Sequence, residues 1–288
     1  MAETKFSKHP CFCVKSHFTH ARLHLPVAPK CNIQCNYCNR KFDCSNESMP
    51  GYTSKLLQPI EALNYVDEFT KENKNLSVIG IAGPGDPLAN ADKVFKTLSL
   101  IKQHYPDLLF CLSTNGLNIV QYIKDIVNSG LTHITVTLNA INPEISQHIY
   151  KYIYYKGKKY TGLKASTILV ENQLKGIKLL VANNIKVKIN TILIPAINAN
   201  EIGNISQTIK NIDVNIHNIT GLIVKKEHNT PFSIMGLRAP TDSEIVEAQK
   251  ISANIFGSFS YIMKHCKQCR ADSAGLLTKE TIPQIISK

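Results

Sequence analysis

The sequence has no apolar run long enough to span a membrane, and its first residues, MAETKFSKHPCFC, lack the apolar core of a secretion signal. Both absences lead to the expectation of a cytoplasmic protein, where thiols stay reduced. No internal repeat or low-complexity tract is evident; 288 residues at 43% hydrophobic content suit one globular unit, a routine size for an α/β barrel-type domain. There is no even set of cysteines: nine in a reduced compartment fit a disulfide framework poorly and read better as metal ligands. Nor is there a basic arm. The formal net charge of +12 is spread through segments such as NIKVKIN, KENKN and YYKGKKY. Dispersed lysine is a solvated surface more often than a nucleic-acid footprint, so neither a nucleic-acid nor a membrane partner is expected.

What is present is CNIQCNYC at 31–38, three cysteines spaced CxxxCxxC with Tyr37 before the third. A structural zinc site usually shows paired CxxC or CxxC with HxxxH spacing, not a triplet. A 4Fe-4S cubane normally takes four thiolates; no fourth cysteine continues this run, which leaves one iron open to a non-protein ligand. The spacing resembles the radical S-adenosylmethionine (radical SAM) superfamily. That resemblance implies a cluster on Cys31, Cys35 and Cys38, S-adenosylmethionine on the open iron, and its cleavage to a 5'-deoxyadenosyl radical.

Along the chain, ARLHLPVAP predicts a first strand with His24 on the face opposite Leu23 and Leu25, followed by the cysteine loop to about residue 50. A strand–helix alternation then runs through a helix at 57–73, a strand at 76–82, a helix at 91–104 and a strand at 108–114. It continues with a helix to about 129, a strand at 133–139, a helical region to 184 broken near 156–162, a strand at 185–195, a helix near 199–210 and an apolar run at 219–224. About six βα units imply an α/β fold, a partial (β/α)6 TIM-like barrel, similar to the radical SAM core. Residues 1–20 read as an N-terminal extension, 21–226 as the barrel, and 227–288, with a helix near 241–254, as a flap over its mouth.

In parallel α/β folds, sites lie at the C-terminal ends of strands, and several polar motifs fall there. GPGDPL supplies Gly83 and Gly85 for close backbone approach and Asp86 as an acceptor for an ammonium, although an ordinary βα turn looks the same. Ser113, Thr114 and Asn115 end one strand and Asn139 the next; they suit the carboxylate and ribose of S-adenosylmethionine, or simple capping. Beyond the triplet stand Cys11, Cys13, Cys44, Cys111 and the CxxC of Cys266 and Cys269. Two further cubanes want about eight ligands at four each, nearly what these cysteines and His24 supply.

Taken together, HPCF, ARLH, APKCNIQCNYCNRKFDCSNES, GPGDPLAN, STNGL, EHNTPF and HCKQCRADSAGLL resemble, in order, the NifB family of nitrogenase cofactor maturases. Many of its members carry an extra C-terminal carrier-like domain; the chain stops soon after HCKQCRAD, as short archaeal forms do. The resemblance implies three 4Fe-4S clusters, one for radical chemistry and two precursors. The precursors are fused into an 8Fe-9S-C product whose carbide derives from the methyl of S-adenosylmethionine. It implies that Cys11, His24, Cys44, Cys111, Cys266 and Cys269 hold the precursors. Tyr37, Gly83, Gly85, Asp86, Ser113, Asn115, Asn139 and Ile192 form the S-adenosylmethionine site, and Glu47 and Glu227 are candidate proton acceptors. Cys13 departs from the family pattern and is left without a role. A cluster donor and downstream scaffold or carrier proteins are the implied partners. Two alternatives stay open: another radical SAM enzyme with an auxiliary cluster, modifying peptide or RNA, and a non-catalytic iron-sulfur carrier.

Overall fold

In the computed structural model, residues 8–46, 53, 55–266 and 269–278 are described. They form, in order, α1 (Ser16–Thr19), β1 (Ala21–His24), β2 (Ile33–Cys35), α2 (Pro59–Glu72), β3 (Leu76–Ile81), α3 (Ala91–His104), β4 (Leu109–Thr114) and α4 (Ile119–Asn128). Then come β5 (Leu131–Thr137), α5 (Pro143–Ile149), β6 (Tyr150–Tyr155), β7 (Lys158–Tyr160), α6 (Gly162–Ala182), β8 (Lys186–Leu193) and α7 (Ile202–Asn211). The last elements are β9 (Ile216–Gly221), α8 (Pro231–Ile234), α9 (Asp242–Phe256) and β10 (Ala274–Gly275).

The main sheet has the order β10-β1-β3-β4-β5-β8-β9. Its six strands from β1 to β9 pair in parallel, matching the six units expected, and β10 adds to the β1 edge antiparallel. The reason is visible in composition. β3 (LSVIGI) and β8 (KVKINTIL) are buried at every position after the first, as strands covered on both faces must be. Helices supply the cover: Val94, Leu98 and Ile101 of α3 lie on one stripe and are fully buried. Each such side chain contributes about 1.5–3 kcal/mol by leaving water. The architecture is the expected α/β partial barrel.

Two elements differ from the expectation. Residues 150–160 are not a broken helix but a β6–β7 hairpin, which also pairs β6 with β2 inside the cysteine loop. Alternating tyrosines around Lys156-Gly157, both at positive φ, are hairpin chemistry that a helical reading overlooks. The segment read as a flap also joins the sheet itself, Leu23 pairing with Ala274 and Arg22 with Gly275. Among the described residues, no helix is long and apolar enough to cross a membrane.

Candidate functional site

The cysteine loop is held by the GPGD turn, backbone to backbone. Gly85 N–H donates to Ala28 (2.6 Å) and Asp86 N–H to Lys30 (2.8 Å), the residues leading into Cys31. A Cβ on Gly85 would lie 2.1 Å from the Lys30 carbonyl oxygen, so only glycine permits this approach. Arg40 fastens the same junction from the other side, donating to the carbonyls of Pro29 (2.6 Å) and Pro84 (3.2 Å).

Asp86 braces this turn. Its carboxylate accepts from Leu88 N–H (2.9 Å), Thr114 Oγ1 (2.9 Å) and Asn115 N–H (2.6 Å), while burial raises its pKa. Asn115 in turn gives its Nδ2 to Asn32 (2.7 Å) beside Cys31. A second chain of bonds spans the strand ends: Tyr37 Oη donates to Asn46 (2.5 Å), Asn139 Nδ2 donates to Tyr37 Oη (2.9 Å), and Ile192 N–H donates to Asn139 (2.9 Å). Gly85, Asp86, Ser113 and Asn115 line one small pocket together with Cys44 and Thr137. Gly83, Tyr37, Asn139 and Ile192, expected at a ligand, do not line it. The last three hold the loop and the ends of β5 and β8 in register.

The triplet thiols have the chemistry of cluster ligands. Burial, then the negative charge of Asp86, pushes Cys31 up to about 12; burial likewise raises Cys35 and Cys38. Thiols so enclosed become thiolates only with a cation among them, which is how metal binding releases protons. This donor set therefore fits an iron-sulfur cluster. Among the described residues no group of three histidine, cysteine or carboxylate side chains is placed to hold a single metal ion. Cys44 departs from its expected grouping. Its thiol is raised by burial and then by Cys38 and Cys31, and it lines the Asp86 pocket, because the loop folds back on the triplet instead of extending to the other cysteines.

Those others meet in one place. Cys11, His24, Cys111, Cys266 and Cys269 line a single cavity with about 600 Å³ of empty space, counting its open mouth. It is built from both ends of the chain and the middle of the sheet, and it shares Ala82 and Ser113 with the Asp86 pocket. His24 Nδ1 lies 2.9 Å from the Arg270 carbonyl, which can only accept. The proton is thus on Nδ1 and the lone pair on Nε2, the tautomer a metal-ligating imidazole uses.

The lining also includes His9, Arg22 and Lys188, which were not singled out from the sequence. Arg22, 1% exposed, donates to the Gly275 carbonyl (2.8 Å) and to Cys269 Sγ (2.9 Å), tying β10 to a candidate ligand. Lys188 is 4% exposed. The HPCF and ARLH stretches held His9 and Arg22 in plain view, but only Cys11 and His24 were read from them. Glu227 lies on an exposed turn whose next residue, His228, is buried, and it lines neither pocket. Glu47 lies outside the described residues. Cys13, half-buried, lines neither pocket.

Comparison with known proteins follows the same lines. Residues 25–209 match the Radical SAM superfamily. The chain is 45% identical over 276 residues to the FeMo cofactor biosynthesis protein NifB of Frankia alni, covering 96% of this chain and 54% of that protein. It is also 45% identical over 280 residues to the NifB of Klebsiella pneumoniae, covering 97% and 59%. The chain thus spans a little over half the length of these curated relatives. Among solved structures, anSMEcpe with bound AdoMet and the Cp18Cys peptide superposes with a TM-score of 0.54 at 16% identity, covering 82% of this chain and 58% of that one. Methylornithine synthase (PylB) gives 0.52 at 11% identity, covering 82% and 63%. At such identities the likeness is one of fold.

Proposed function

Since the chain belongs to the radical SAM superfamily, we propose that it is a carbide-forming maturase of the NifB type, taking two 4Fe-4S clusters as substrate and fusing them into an 8Fe-9S-C precursor of nitrogenase cofactor. The observation that carries this reading is the cavity that gathers Cys11, His24, Cys111, Cys266 and Cys269 and abuts the Asp86 pocket through Ala82 and Ser113. Five candidate ligands in one cavity are more than the four that a single auxiliary cubane takes in a radical enzyme acting on peptide or RNA. Strong sequence similarity to NifB proteins supports the same reading.

In this proposal Cys31, Cys35 and Cys38 hold the resident cluster. When bound, it supplies the electron that cleaves the sulfonium of S-adenosylmethionine to a deoxyadenosyl radical. The chain's own part is placement. Asp86 and Asn115 brace the pocket for S-adenosylmethionine, and the Tyr37–Asn139–Ile192 bonds keep the loop from drifting. Cys11, His24, Cys111, Cys266 and Cys269 receive the substrate clusters, with Cys44 at the border between the two spaces. Ser113, common to both, marks where the methyl donor and its acceptor approach each other. The expected partners are a cluster donor and a scaffold or carrier that accepts the product. Residues 1–20 and 227–288 act together as the binding extensions of the barrel at 21–226.

The test uses anaerobically reconstituted, reduced protein given S-adenosylmethionine, with S-adenosylhomocysteine and 5'-deoxyadenosine measured together. Wild type is expected to form both, and the Cys266→Ala/Cys269→Ala variant to lose S-adenosylhomocysteine, the mark of methyl transfer. Deoxyadenosine alone from both proteins would leave a radical enzyme but end the maturase reading.

A further inference from the structure

His9 is 2% exposed and lines the cavity beside Cys11 and His24. Its Nδ1 lies 3.1 Å from the backbone nitrogen of Cys11. That N–H can only donate, so Nδ1 carries the lone pair and the ring proton belongs on Nε2. This Nε2 is buried and has no hydrogen-bond partner among the described residues. Leaving a buried donor unmatched is costly, and the ring is not free to turn away. It is wedged between Phe12 and His133, with centroids 4.8 and 4.4 Å off. His24 has the opposite arrangement, its Nδ1 donating to the Arg270 carbonyl and its lone pair on Nε2. One cavity therefore holds two imidazoles with opposite tautomers, one suited to ligate and one to donate.

We propose that His9 is a substrate-binding residue that donates its Nε2–H to a sulfur of the iron-sulfur cargo and is not itself an iron ligand. The inference rests on the cargo reading of the cavity. To ligate iron through Nε2, a neutral His9 would need its proton on Nδ1, against the Cys11 N–H. Sulfide and thiolate sulfurs are the acceptors such a cargo offers. A hydrogen bond to them stabilises the extra electron of the reduced state and so raises the reduction potential. Lys188, in the same cavity, adds positive charge of the same sense.

The experiment compares wild type, His9→Asn and His9→Gln, each reconstituted anaerobically with iron and sulfide. Asparagine keeps an acceptor for the Cys11 amide but reaches no further; glutamine extends an amide N–H to about the position of Nε2. Iron per chain, the midpoint potentials of the bound clusters, and pulsed EPR of protein labelled with 15N-histidine are measured. The expected result is equal iron in all three and a lower cluster potential in His9→Asn, with His9→Gln close to wild type. The coupling of a directly ligating nitrogen should persist in both variants. Loss of that coupling in His9→Asn overturns the proposal, as do an unchanged potential or a glutamine variant no better than asparagine. Iron of about four atoms per wild-type chain, one cubane's worth, instead of about twelve, defeats the cargo reading and this inference with it.

Discussion

Gly80 and His24 face each other across the β1–β3 ladder, and the missing side chain of one is the seat of the other. A Cβ on Gly80 would stand 2.7 Å from Cδ2 and 3.0 Å from Nε2 of the imidazole. Gly80→Ala is thus expected to displace His24 from the cavity. Overpacking of this kind costs about 1–3 kcal/mol, so the variant should fold with a lowered Tm. In the reconstituted protein it should lose the ligating-nitrogen coupling while still forming deoxyadenosine. A wild-type coupling in Gly80→Ala would show that His24 does not need this seat.

Gly85→Ala should act on the other pocket. The added methyl meets the Lys30 backbone, which has no rotamer to yield, and the cysteine loop must shift. We expect deoxyadenosine formation to fall at least tenfold, with less iron held by the triplet. Binding of S-adenosylmethionine by calorimetry should weaken in parallel.

Asn139→Leu tests the bonds that join the loop to the strand ends. It strands the Ile192 N–H and removes a donor from Tyr37, each loss worth about 1–3 kcal/mol in a buried setting. Urea denaturation should show the drop, with an unchanged m-value. A loss below ~0.5 kcal/mol would mean that these bonds do not hold the loop, since even an ordinary hydrogen bond contributes about that much.

Acid stability should depend on His217. Burial lowers its pKa to about 3, and its ring contacts Ser252 (2.8 Å) and Thr191 (3.0 Å). The unfolded chain takes up this proton below about 6.5, while the fold refuses it until about 3. The unfolded state therefore binds more protons throughout that window. Stability from this group is complete above pH 6.5 and is lost as pH falls, by about 1.4 kcal/mol per unit. His217→Gln, which cannot titrate, should flatten the profile between pH 6.5 and 4 by that slope, measured by equilibrium unfolding at each pH.

Much of this was readable before folding. Parallel strands buried on both faces announce themselves as apolar runs, and the βα alternation placed β3, α3, β4 and β8 within a residue or two. The CxxxCxxC spacing located the cysteine loop, because ligands on one short loop must be close in sequence. The β6–β7 hairpin was lost to its tyrosines, which suit a helix face as well as a strand; the decisive signal was the Lys156-Gly157 turn. Cys44 was grouped with distant cysteines because ligand counting ignores where a loop turns back. That Asn139 bonds Tyr37 and Ile192 was not legible, since a polar residue at a strand end looks the same whether it faces a ligand or another loop. Lys188 gave no signal at all, and His9, though part of HPCF, gave none of its burial, because burial of a cation or an imidazole is decided by the whole fold.

The clasp of β10 on β1 also bears on when the cavity forms. The cavity draws on Cys11 and His24 from one stretch of sequence and on Cys266, Cys269 and Leu277 from another, and Arg22 and Gly275, which join the two, stand 253 residues apart. Closing so long a loop costs chain entropy before any contact repays it. The barrel strands, paired with near neighbours in sequence, can therefore assemble first, and the cavity is completed late in folding.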